Sequence, residues 1–209
     1  MTKLYVSNKD ETARMFKSDF LEFFSKVHWT VPLFIYVPVI GFLFYYSIAN
    51  YKLPALQMLE LILAGAIVWT FTEYMLHRFV FHFHATSDLG KRITFMFHGV
   101  HHAYPNDTKR LVMPPSVSIP LAIGFFFLFK AILGGISVAP FYIGFIAGYL
   151  FYDISHYAIH HFNMHSKFWL AIKNHHMRHH YQNPELGFGV STPLWDVILK
   201  TNYDIKKAD

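Results

Sequence analysis

The sequence contains no cysteine. That excludes disulfides, thiolate-held metals and a cysteine nucleophile, and leaves the redox compartment unread. Charge is scarce as well: Asp, Glu, Lys and Arg make up 15% of the 209 residues, against roughly 25% in soluble domains. The chain therefore lacks the polar surface that a water-soluble domain of this size needs. It shows no internal repeat and no low-complexity linker, so one domain is expected. The first apolar run starts near residue 31, too far in for the h-region of a secretory signal. Basic excess is small, 18 Lys plus Arg against 13 Asp plus Glu for a net charge of +5. In so apolar a chain, that excess points to the cytoplasmic flanks of membrane spans rather than to nucleic acid.

What the sequence does have is apolar length, with 54% hydrophobic and 19% aromatic residues. Four segments, roughly residues 31–50, 55–82, 115–136 and 138–160, are mainly apolar. Each is long enough, at about 20 residues, to cross a hydrocarbon core of about 30 Å. The links Tyr51–Pro54 and Gly134–Ser137 are short, which predicts two helical hairpins. Basic residues gather in the other polar segments, with Lys52 and Lys130 as exceptions. The expected topology therefore puts both termini and the central loop on the cytoplasmic side. Residues 1–30 carry mixed charge with Phe16, Phe20, Phe23 and Phe24 at helical spacing. They read as an amphipathic helix lying on the membrane surface, with a plain solvated tail as the alternative, an N-terminal interfacial segment ahead of a membrane domain over 31–209. The fold class is all-α: an integral membrane protein of four transmembrane helices in two hairpins, with a cytoplasmic helical cap.

The anomaly is histidine. All but one of the 15 histidines fall between His77 and His180. Four clusters stand out: His77 and His82 (HX4H), His98, His101 and His102 (HX2HH), His156 and His160 (HX3H), and His176, His179 and His180 (HX2HH). Residues three or four apart share a helix face, so His156 and His160 can grip one metal, and His98 can pair with His101 or His102. Adjacent histidines diverge by about 100°, so each doublet can serve two neighbouring metals. The five-residue step from His77 to His82 is wide for an unbroken α-helical face, and span two is expected to fray there. Ten imidazoles, five per ion, suit two transition metals with an open position each; a structural zinc site would be closed with four ligands. His175 also pairs with His179 at i,i+4, but His176 keeps the HX2HH spacing, which leaves His175 a supporting role. Asp153 lies three residues before His156 and Glu73 four before His77, one turn away in each case, so both are candidates to orient the imidazoles.

These clusters and their flanks resemble the fatty acid 2-hydroxylases, within the wider superfamily of sterol desaturases and fatty acid hydroxylases. The matching stretches are HRFVFH (77–82), FHGVHHAYPNDTKRLVMPP (97–115), DISHYAIHH (153–161) and HHMRHHYQNPELGFGVSTPLWD (175–196). The resemblance implies that the ten clustered histidines hold two iron ions, which zinc can replace after purification. It implies an O2-dependent hydroxylation at C2 of a long acyl chain, presented as free acid, acyl-CoA or ceramide, for sphingolipid or related lipid synthesis. Tyr104, Met113, Phe188 and Trp195, in loops beside the clusters, are candidates to line the acyl slot, or simply to pack the cap. Fungal and animal relatives carry an N-terminal cytochrome b5 domain, for which the thirty or so residues before the first span leave no room. Electrons are then expected from a separate protein of ferredoxin or cytochrome b5 type, in a bacterial inner membrane or an endoplasmic reticulum. Three rivals stay open: a desaturase, a sterol or carotenoid oxidase, and a non-enzymatic metal transporter or store. The last should place its ligands near mid-membrane.

Overall fold

Away from water a backbone must satisfy its own hydrogen bonds, and an apolar run of 20 residues does so as a helix. The computed structural model describes residues 4–203, and no strand occurs among them. Residues 1–3 of the expected interfacial segment, and residues 204–209, lie outside the described residues. The chain opens with α1 (Asp19–Phe24), α2 (Val31–Tyr51) and α3 (Ala55–Met75), the last running on through a π-helical segment, Leu76–Phe81. α4 (Asp88–Thr94) continues through a second π-helical segment, Phe95–Gly99, into α5 (Val100–Ala103). α6 (Pro115–Leu133), α7 (Val138–His161), α8 (Lys167–Tyr181) and α9 (Leu194–Ile198) complete the order.

Among the described residues four helices are long and apolar enough to cross a membrane: Val31–Tyr51, Ala55–Phe81, Pro115–Leu133 and Val138–His161. Short links join α2 to α3 and α6 to α7, as expected, but α2 and α3 pack mainly on α7 rather than on each other as a hairpin. Lys52, left-handed at φ 48°, closes α2, and Pro54 opens α3. Gly134 and Gly135, at φ 63° and 34°, stop α6 at Leu133, short of residue 136, where the apolar pattern alone would carry it.

The spans are not equivalent. In α7, 78% of the apolar window is buried, against 17% in α2 and 11% in each of the other two, so α7 is the central helix. Lipid tails are as apolar as leucine, so helices in a bilayer associate by close packing rather than by hydrophobic drive. Glycines make that approach possible here. A Cβ on Gly65 of α3 would lie 1.9 Å from the Phe141 carbonyl oxygen, and one on Gly144 of α7 would lie 1.8 Å from that of Ile62. Trp69 fills the next layer, edge-on to Phe145 and Tyr149. The Tyr36 hydroxyl donates to Ser118 Oγ at 2.9 Å and ties α2 to α6.

The N-terminal segment departs from expectation, since among its described residues only Asp19–Phe24 is helical. Ahead of α1 the chain is irregular because its polar groups are already taken by the cap. Asn106 Nδ2 donates to the Asn8 carbonyl, Thr108 to Asp10 and Thr12 to Asp107. The segment is a strap rather than a continuous amphipathic helix. Glu22 fastens it, receiving Arg110 at 2.6 Å and Lys26 at 3.0 Å. Phe20 and Phe23 stay 70% and 73% exposed on the outer side.

Candidate metal centre

Four elements deliver the ten histidines of the four clusters to one end of the bundle. The five-residue step resolves without fraying: the His82 amide donates to the His77 carbonyl at 3.1 Å, the i→i+5 bond of a π-turn. That widening lets residues five apart share a face, and π-bulges of this kind recur at functional sites. The second π-segment carries His98 directly into α5, which holds His101 and His102. His156 and His160 stand on the last turns of α7, while His176, His179 and His180 stand on α8.

The imidazoles separate into two groups. One is His77, His82, His98, His102 and His179; the other is His101, His156, His160, His176 and His180. Within each group one nitrogen per ring lies within 4.8 Å of all the others, close enough to hold a metal ion. Each HH doublet divides between the groups, as the 100° step implies. In the first group Nε2 atoms lie 2.9 Å apart for His77 and His98, 3.1 Å for His98 and His102, and 3.0 Å for His82 and His179. In the second, His176 Nε2 lies 2.9, 3.0 and 3.0 Å from those of His156, His160 and His180. Nitrogens bound at about 2.1 Å and at right angles would be about 3.0 Å apart, whereas a tetrahedral angle would spread them to about 3.4 Å. The spacing fits ions of octahedral geometry with five imidazoles each.

The electrostatics agree with that use. Burial, reinforced by neighbouring imidazoles, pushes His98, His101, His102, His176 and His180 well below the usual histidine range. The same causes bring His82 to about 4 and His179 to about 3. These rings are therefore neutral at pH 7, the form a metal requires.

The residues expected to orient the ligands lie elsewhere. Asp153 turns from His156 toward the loop before α6, accepting the Met113 amide at 3.2 Å and the Tyr149 hydroxyl at 3.0 Å. Glu73 does not reach His77; its carboxylate accepts the amides of Val190 and Ser191 and the Ser191 hydroxyl. The partners of two ligands are backbone carbonyls instead. His77 Nδ1 donates to Phe188 O at 2.5 Å and His179 Nδ1 to Leu186 O at 2.7 Å, leaving each Nε2 lone pair free. His175 belongs to neither group and meets Asp196 at 3.1 Å. Sequence reasoning passed over Asp196, whose only signal is its place at the end of the GFGVSTPLWD stretch. His28, His84, His161 and His165 belong to neither group.

Beside the centre lies a cavity of about 280 Å³ whose wall includes His98, His101 and His156, one from the first group and two from the second. Its other walls are largely apolar, among them Phe81, Phe97, Val100, Val112 and Met113, and the strap closes one side with Phe16, Leu21 and Phe24. Of the four residues considered for an acyl slot, Met113 lines this cavity. The Phe188 ring packs against His77, His82 and His179. Trp195 packs on Phe71 and donates to Thr70, and Tyr104 lies in the turn after α5; neither borders the cavity.

Residues 62–201 match the fatty acid hydroxylase family. A dihydroceramide fatty acyl 2-hydroxylase of Arabidopsis thaliana is 36% identical over 193 residues, 91% of this chain and 80% of that protein. A fatty acid 2-hydroxylase of Mus musculus is 36% identical over 214 residues, 90% of this chain and 56% of that one. The solved structure of full-length scs7p, in which only the hydroxylase domain is visible, gives a TM-score of 0.84 at 34% identity. That match covers 90% of this chain and 72% of the other.

Proposed function

The chain belongs to the fatty acid hydroxylase family, and on that premise we propose that it is a di-iron membrane monooxygenase acting at C2 of a long-chain fatty acyl group. The observation that carries the proposal is two five-imidazole groups bordering one apolar cavity. Iron ions held by His77, His82, His98, His102 and His179, and by His101, His156, His160, His176 and His180, would supply reductive activation of O2. The chain does the rest. It keeps the ligand rings neutral by burial, and it offers the acyl chain a largely apolar wall. C2 is the first methylene beyond the carbonyl, so the substrate's polar end must lie beside the histidine wall while its tail runs along Phe97, Val112 and Met113. Relatives named for ceramide and dihydroceramide substrates support a sphingolipid acyl group, with acyl-CoA and free acid as the other forms the cavity can take.

On the same reading both termini and the site face the cytoplasm, and a separate ferredoxin or cytochrome b5 type protein donates the electrons. The distribution of Lys and Arg along the chain supports that orientation. Because the chain has no cysteine, single introduced cysteines can map sidedness without background. The deciding experiment supplies the expressing host with labelled palmitate and 18O2, then hydrolyses the lipids for mass spectrometry. The expected product is 2-hydroxypalmitate carrying one 18O. Unmodified palmitate in the presence of an active reductase system overturns the assignment. A His156→Ala protein with full activity and full metal content overturns the ligand set.

A further inference from the structure

The two imidazole groups are not held alike. In the first, the Nδ1–H groups of His77 and His179 are anchored on the carbonyls of Phe188 and Leu186. In the second, the Nδ1 nitrogens of His156, His176 and His180 are buried and meet no hydrogen-bond partner among the described residues. The loop that supplies the two carbonyls is itself fixed by carboxylates on its amide side. Asp196, 0% exposed, accepts the Phe188 amide at 2.9 Å and the Gly189 amide at 2.8 Å. It also accepts the Thr201 hydroxyl at 2.8 Å and meets His175 Nε2 at 3.1 Å. Glu73 takes the next two amides, Val190 and Ser191, at 2.7 and 2.8 Å. Four consecutive amides are therefore claimed by two carboxylates, one from a membrane span and one from α9. Carbonyls 186 and 188 are left facing the histidines. The glycines serve the same turn: Gly187 needs its φ of +72°, and a Cβ on Gly189 would lie 2.2 Å from the Thr192 carbonyl oxygen.

We propose that Asp196 is a positioning residue for one metal only, the one held by the His77 group, and that the two metal sites consequently differ in how they retain their ions. The inference rests on the dimetal reading above. A buried carboxylate that orders two amides sets the direction of the Phe188 carbonyl, and this fixes the ring and tautomer of His77. Outer partners of this kind are worth about 10–100-fold in metal affinity. Among the described residues no carbonyl of this loop reaches an Nδ1 of His156, His160, His176 or His180.

The test uses the full chain in detergent, loaded with two equivalents of Co2+, whose visible absorption reports each site. A graded chelator titration should release one equivalent from Asp196→Asn at a concentration about 10–100-fold below that for wild type, with the second equivalent unchanged. Thr201→Val, which deletes a single donor to Asp196, should shift the same equivalent by less and keeps the proposal testable if Asp196→Asn does not fold. His160→Ala should weaken the other equivalent, and the Asp196→Asn/His160→Ala pair should weaken both. Release of both equivalents together from Asp196→Asn and Thr201→Val, or of neither, overturns the inference. Wild type that takes up fewer than two equivalents overturns the dimetal reading on which it rests.

Discussion

Replacing Glu22 with Ala should free the strap from the cavity without unfolding the bundle. The Glu22 carboxylate accepts Arg110 at 2.6 Å, Lys26 at 3.0 Å and the Met15 and Phe16 amides at 3.0 and 3.1 Å. Burial alone would raise its pKa, but these donors, with the Arg110 charge, hold it at about 2 against an ordinary 4.5. That depression corresponds to about 3 kcal/mol of stabilisation at neutral pH. Removing one partner of a buried ion pair costs about 3–5 kcal/mol, and Arg110, 1% exposed, keeps Asp107 at 3.7 Å, which puts the loss at the lower end of that range. The sign follows from the depressed value: the contribution is complete above pH 4.5 and fades as pH falls toward 2. Acidification from pH 8 to 5 should therefore leave the wild-type strap closed. Because the loss falls on a local opening, trypsin cleavage after Arg14 and Lys17 reads it better than global melting. About 3 kcal/mol should raise the cleavage rate on the order of a hundredfold across that range. A rate within about threefold of wild type would show that the strap is not held by this pair.

Gly144→Ala should cost about 3 kcal/mol, the upper end of ordinary overpacking, because its Cβ would sit 1.8 Å from a backbone carbonyl; a melting temperature equal to wild type in detergent refutes the close α3–α7 contact. His161→Gln should keep both metals by elemental analysis while His160→Ala loses one, since only His160 belongs to a five-imidazole group; equal losses would redraw the ligand set. In metal-free protein His82 and His179 titrate near 4 and 3, below the unfolded value of about 6.5, so the unfolded chain binds protons first as pH falls. Each should therefore withdraw up to about 1.4 kcal/mol per pH unit between pH 6.5 and 4, lowering the melting temperature. A flat profile there would mean that these rings are not buried neutral.

What was legible in the sequence was whatever local periodicity controls. The HX3H pair on α7 and the division of each HH doublet follow from 100° per residue. The HX4H step was legible as a mismatch, and its π-turn solution was not, because the extra residue is absorbed by a backbone bond that no side chain announces. The i−3 and i−4 placements of Asp153 and Glu73 put them one turn from a histidine, yet each carboxylate turned to amides of a distant loop. Buried carboxylates seek the most donors available, and residues 113, 190 and 191 offer backbone N–H groups that an adjacent imidazole cannot match. Asp196 was invisible for the same reason, since its partners are fixed by the path of the chain between Phe188 and Thr201. The N-terminal phenylalanines misled because helical spacing was read without the polar residues, Asn8, Asp10 and Thr12, that commit the segment to the cap.

The two groups are also approached from two sides, and the approaches differ in chemistry. His98, His101 and His156 border the apolar cavity beneath the strap. His82, His98 and His102 border a more open cleft that also contains His84, Lys91 and Thr94. Phe81 and His98 are common to both, and their rings stack at 5.3 Å, so this pair forms the partition. On the hydroxylase reading, a reaction that joins an acyl chain to oxygen must bring an apolar reactant, protons and electrons to the same metals without letting water follow the chain. A partition of one aromatic ring and one ligand ring would meet that need, since Phe81 and His98 stand in the walls of both the cavity and the cleft. A neutral imidazole can stand against an apolar wall at a lower desolvation cost than an unpaired carboxylate, and the one carboxylate in the cavity wall, Asp153, is held by the Met113 amide and the Tyr149 hydroxyl.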